Sequence, residues 1–220
     1  MNDRAVRWAG LAGILFVVLI IISIVLTGSM PAADDPAEKI RTFFVDHRGG
    51  LLAANFLGLL ATPFVIWFGV MLREIVRGDR IARAQGTVSL AGLLVTAPMA
   101  MVGGALEVAA VYVDGAAAKT NPDTLRLLFD AQGLVFAATA AGILAFVSGA
   151  GLAIRRTGAL PAYTAWLAAL AVVGNVVALF STLGSGASAV GLAGVATFAL
   201  FILVSGITMA TGNAKPVSDA

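Results

Sequence analysis

The chain has no cysteine, one histidine, two tyrosines and little charge, with Asp, Glu, Lys and Arg making up only 12% of its 220 residues. Each scarcity removes a class of chemistry. Without cysteine there are no disulfides, thiolate metal sites, thiol redox steps or cysteine-linked lipid anchor. A single histidine, His47, removes any metal site built from several imidazoles, and neither a metal nor a cofactor is expected. The 14 basic residues are spread over loops without interleaved aromatics and the net charge is +2, so nucleic acid is not an expected partner.

What is present is apolar. Hydrophobic residues make up 60% of the chain, with 25 glycines among the rest, which leaves too little polar surface for a soluble domain. A bilayer-crossing helix needs about 20 apolar residues, and such runs occur at approximately 8–29, 50–72, 87–112, 125–153, 160–180 and 187–210. The expected fold is an all-α, polytopic membrane bundle of six transmembrane helices in one membrane domain. The first run follows Arg4 and Arg7, exceeds the usual apolar core of a secretory signal and lacks a convincing cleavage site. It is therefore read as a span.

Basic residues suggest the orientation. With the N-terminus inside, Arg4, Arg7, Arg73, Arg77, Arg80, Arg83, Arg155, Arg156 and Lys215 are internal, nine of the 14; Lys39, Arg41, Arg48, Lys119 and Arg126 are external. That bias predicts a multi-pass protein of the cell (inner) membrane with both termini cytoplasmic. Arg73, Arg77 and Arg80 would share a helix face that could hold anionic lipid headgroups, although orienting the chain is the simpler reading of them.

The longest charged passage between apolar runs is "PAADDPAEKIRTFFVDHRGG", residues 31–50. Its Asp-Asp-x-x-Glu could hold a metal–diphosphate group, but no facing constellation exists in the other loops. Capping explains it better: Asp35 as N-cap, Pro36 as first helical residue and Glu38 closing a capping box. Ile40, Phe43, Phe44 and His47 follow at helical spacing, predicting a short amphipathic helix over about 36–47 on the outer interface, ended by Gly49–Gly50.

Polar residues inside apolar runs carry the functional signal, because an ionised group in hydrocarbon needs water or a partner. Asn55, Glu107, Asp130, Gln132 and Asn175 all fall in the outer half of their spans. Glu107 and Asp130 are expected at similar depth on consecutive antiparallel helices, with Arg126 one turn before Asp130. Two carboxylates brought close would share a proton or cation; the alternative pairs Asp130 with Arg126 and leaves Glu107 to bond locally. The candidate ligand-binding residues are Glu107, Asp130, Asn55 and Asn175, with His47, Arg48 and Arg126 at the mouth.

Pro63 and Pro98 lie mid-span, where each removes a backbone bond. Ala137, Ala141, Ala145, Gly149 and Ala153, and "GSGASAVGLAG" near the last span, are small-residue stripes suited to close helix contact, within the chain or with another membrane protein or a second copy. Trp8, Trp67 and Trp166 read as interfacial anchors, with Trp67 deep enough to pack between helices. The halves show no inverted repeat.

The stretch from "GILFVVLIIISIVLTGSMPAADDPAEKIRTFFVDHRGG" to "NFLGLLATPFVIWFGVMLREIVR", with the later "GALPAYTAWLAALAVV", resembles an uncharacterised family of bacterial six-span membrane proteins common in actinobacteria. The Asp46-His47-Arg48-Gly49 turn before span two is its most distinctive part. The resemblance implies topology and attaches no activity.

Three functions fit these residues. One is binding or translocation of a small molecule or ion through the outward-facing polar cluster. Another is a non-catalytic scaffolding subunit. The third is a membrane enzyme acting on a lipid or isoprenoid by carboxylate chemistry, with Asp34, Asp35 and Glu38 near a metal.

Overall fold

The computed structural model describes residues 3–180 and 187–215, the side chains of residues 187–192 excepted. The described residues form eight helices: α1 Asp3–Thr27, α2 Ala37–Asp46, α3 Arg48–Ile75, α4 Arg80–Ala109, α5 Ala116–Lys119, α6 Pro122–Thr157, α7 Ala162–Phe180 and α8 Ala187–Ala210. Six of them, α1, α3, α4, α6, α7 and α8, are long and apolar enough to cross a bilayer. Helices satisfy every backbone group where no water can. The chain is a multi-pass integral membrane protein.

Local chemistry sets the helix ends. Asp79 caps α4, its carboxylate accepting from Ala82 N at 2.9 Å, and Asn121 caps α6 by accepting from Asp123 N at 2.8 Å, with Pro122 as the first helical residue. Gly158, at φ 65°, ends α6 in the left-handed conformation that glycine adopts without strain. The 36 residues of α6 extend roughly 54 Å, well beyond a hydrocarbon core of about 30 Å. α6 is therefore longer than the apolar layer requires. α3 and α4 continue as helix through Pro63 and Pro98.

The long helices pack in chain order, α1 on α3, α3 on α4, α4 on α6, α6 on α7 and α7 on α8, and α8 returns to α1. The closed ring is filled by aromatic side chains. Phe146 of α6 meets Phe198 and Phe201 of α8 edge-on, with centroids 5.9 and 6.0 Å apart, and Phe16 of α1 meets Phe198 at 6.2 Å. Phe68 of α3 is fully buried beside Gly13 of α1. Trp8, Trp67 and Trp166 all face outward, so Trp67 is not packed between helices.

The most extensive contact is α4 with α6, and glycine makes it possible. A Cβ on Gly92 would lie 2.5 Å from both Gly142 O and Phe146 N, and one on Gly149 would lie 2.5 Å from Gln85 O. The two backbones touch, as small residues permit in membranes. The expected alanine stripe on α6 is only partly correct. Gly149 and Ala153 are buried, whereas Ala141 is exposed and Gly142 makes the contact. A strict four-residue spacing drifts about 40° around the helix at each step, which carries the stripe off the contact face. Of "GSGASAVGLAG", residues 184–192 lie outside the described residues or side chains; Gly194 packs against Ala178.

The charged passage forms a helix, though not as its capping pattern predicts. Asp35 accepts from Ala32 N at 2.8 Å and pairs with Lys39 at 2.8 Å, while Glu38 pairs with Arg41. No capping box forms. Gly49 and Gly50 lie inside α3, and the chain turns at His47 instead. Gly50 serves a close approach, since a Cβ there would stand 2.3 Å from Leu26 O of α1. The apolar face of α2 is turned onto the protein: Ile40, Phe43 and Phe44 join Leu51, Ala110, Val111, Ala117 and Leu125 in a second core. α2 thus caps one end of the bundle.

Candidate functional site

Glu107 is the one buried charged side chain among the described residues, 7% exposed, on the last two turns of α4. Its neighbour is Gln132 of α6, 2% exposed, whose carboxamide faces the Glu107 carboxyl. The register that the glycines impose on α4 and α6 makes this pairing. One turn away along the same seam, Gly103 sits against the Phe136 ring, where a Cβ would be 3.1 Å from it. One turn the other way, Ala110 and Val111 of the chain following Glu107, and Leu128 and Phe129 before Gln132, belong to the apolar cap. The pair is therefore enclosed on both sides.

Its hydrogen bonding is incomplete. Oε1 of Glu107 and Oε1 of Gln132 are both buried without a donor. Buried oxygens in folded proteins nearly always have partners, and in hydrocarbon the deficit is costlier. No basic side chain pairs with Glu107 among the described residues. A proton, a water or a small cation would supply what is missing.

Asn55 of α3 approaches from the third side, its Nδ2 donating to Gly104 O at 2.9 Å, one turn before Glu107. A Cβ on Gly104 would stand 3.0 Å from Asn55 Oδ1, so glycine there admits the amide. Asn55, Glu107 and Gln132 are the polar groups gathered here.

The other predicted site residues lie elsewhere. Asp130 pairs with Arg126 at 3.7 Å and is half-exposed; it stands two residues from Gln132, about 200° around the helix. The two-carboxylate site is thus replaced by a carboxyl–carboxamide pair. Arg126 also donates to Asp35 O at 2.7 Å and Ala33 O at 2.6 Å, fastening the loop before α2. Arg48 donates to Val111 O at 2.9 Å and Tyr112 O at 3.2 Å, where its charge suits the α4 C-terminus. Nδ1 of His47 donates to Phe43 O at 3.1 Å, and the ring stacks on Phe43 at 4.7 Å. These three residues fasten the cap. Asn175 bridges α7 and α8, donating to Ala171 O at 2.9 Å and Gly194 O at 3.2 Å.

Asp34, Asp35 and Glu38 do not assemble a metal site: no group of three His, Cys, Asp or Glu side chains is gathered among the described residues. At the opposite end, Arg73, Arg77 and Arg83 line a shallow cleft around Glu74. Arg80, expected to share that face, is not in the lining.

No family model, curated protein or solved structure matches the chain.

Proposed function

We propose that this membrane protein binds and passes a proton or a small cation at the Glu107–Gln132 pair. The observation that carries the reading is the enclosed carboxyl with no basic partner, set beside a carboxamide whose oxygen also lacks a donor. An ionisable group inside a membrane that is not structurally paired is by default a functional one. The size of the ligand follows from burial. Both side chains are sealed between the α2 cap and the Gly103–Phe136 contact, which favours an ion over a bulky solute. The cap must part for exchange on one side, and the α4–α6 seam must loosen on the other. Asn55, tied to the turn that carries Glu107, positions that carboxyl.

The test is flux in proteoliposomes holding a trapped pH indicator under an imposed proton gradient and, separately, a trapped sodium indicator under a sodium gradient. Wild type is expected to dissipate one of them, Glu107→Gln neither, and Gln132→Ala more slowly than wild type. Fluxes equal to those of empty liposomes, or a Glu107→Gln variant as active as wild type, would sink the proposal and leave the scaffolding role.

A further inference from the structure

The basic cleft between α3 and α4 lies at the end of the bundle remote from Glu107, and it has its own charge logic. Glu74 is held by Arg73 at 2.8 Å and Arg77 at 3.4 Å. One carboxylate therefore faces three guanidinium groups, and Arg83 has no carboxylate partner among the described residues. The cleft has an excess of two positive charges.

Its shape is built by the neighbouring helices. Gly86 of α4 lets the Arg73 stem lie across it, since a Cβ there would already touch Arg73 Cγ at 3.4 Å. The Arg73 Nε then reaches Thr87 Oγ1 at 3.5 Å. The cleft is small and partly open to solvent.

What lies below the cleft decides the source of the phosphate. On α3, Trp67 and Val70 are exposed and fall at helical spacing with Glu74, and Arg77 follows just past the end of the helix, so an apolar stripe leads up to the charged cleft. A free anion would use only the cleft; a lipid would use the stripe as well. We propose that Arg73, Arg77 and Arg83 bind the phosphate of an anionic phospholipid whose chains lie along Trp67 and Val70. Arg83 takes the place that the helical-face argument gave to Arg80. Guanidinium groups suit this role because they offer paired donors to phosphate oxygens.

The test is native mass spectrometry of the purified protein from mixed micelles holding equal phosphatidylglycerol and phosphatidylcholine, with and without excess inorganic phosphate. Wild type is expected to retain phosphatidylglycerol selectively. Arg77→Gln or Arg83→Gln should each lower retention about fivefold, equivalent to about 1 kcal/mol per basic residue. Arg155→Gln, an exposed arginine at the same end and outside the cleft, should have no effect, and neither should inorganic phosphate. Equal retention of the two lipids, or an equal loss in Arg155→Gln, overturns the site. Displacement by inorganic phosphate overturns the lipid as its occupant. Circular dichroism of each variant verifies that these exposed substitutions leave the helices intact. None of these outcomes depends on ion flux.

Discussion

Two of the helix contacts in this bundle bury amide or carboxyl side chains, and they treat those of Asn175 and of the Glu107–Gln132 pair oppositely. Between α7 and α8, Asn175 is 1% exposed and its Nδ2 bonds two carbonyls, Ala171 O and Gly194 O. Tyr163 and Thr208 add a second link at 3.1 Å. Between α4 and α6, Glu107 and Gln132 are buried as deeply but each retains an oxygen without a donor. A satisfied amide joining two helices is adhesive. An enclosed carboxyl with an open valence carries a deficit that a leucine in its place would not, and the proposed function assigns that open valence to the ion.

The largest contrast should come from exchanging function for stability at these two contacts. Glu107→Gln is expected to abolish proton or cation flux while leaving the detergent melting temperature at or above that of wild type. Asn175→Ala should do the reverse, keeping flux and losing stability. If Glu107→Gln instead unfolds the protein, the α4–α6 pair is adhesive too and the contrast fails. Next in size, Gly92→Ala forces a methyl into the Gly142 and Phe146 backbones and should destabilise by about 1–3 kcal/mol. Gly133→Ala, on the same seam's partner helix but with nothing within 4 Å, should be neutral. Equal melting temperatures for the two would mean that α4 and α6 do not touch there. Loss of the Asn175 bonds should cost about 0.6–1.7 kcal/mol, the range for hydrogen bonds between membrane helices, and Asn55→Ala should fall at the lower end because one bond is lost. Chemical denaturation in mixed micelles reads both.

The smallest effect lies at the exposed end. Arg156 donates to Asp79 at 2.8 and 3.0 Å, and together with the Ala82 N–H it holds the Asp79 carboxyl at about 2, below its ordinary 3.8. A lowered folded-state value favours the ionised form. Its stabilisation is complete above about pH 4 and disappears as pH falls towards 2. Arg156→Gln should flatten a melting curve measured across that window. An unchanged pH dependence would mean that solvent screens the pair fully.

How much of this could be read from the residues differs by region. The six spans were legible because hydrocarbon leaves a helix as the one form available to an isolated segment. Glu107 was legible because a charge in an apolar run is costly wherever it packs. Its partner was not, because Asp130 and Gln132 are two positions apart and only the rotation of α6 decides which faces α4. That rotation is set by Gly92, Gly142 and Gly149 touching backbone. Contacts of that kind are pairwise between helices, and one sequence shows only candidates for them. The face of α2 was legible as apolar, but not what it would cover. His47 and Arg48 were placed at a mouth on charge alone, whereas backbone carbonyls hold both.

The central claim concerns one carboxyl group, so the most direct measurement is infrared difference spectroscopy of the purified protein during pH and sodium titrations. The account predicts a carboxyl band that changes with one of these ligands, disappears in Glu107→Gln, and persists in Asp130→Asn and Asn175→Ala. Spectra in which no titrating carboxyl band is lost with Glu107 would contradict it, and the α4–α6 pair would then be packing alone.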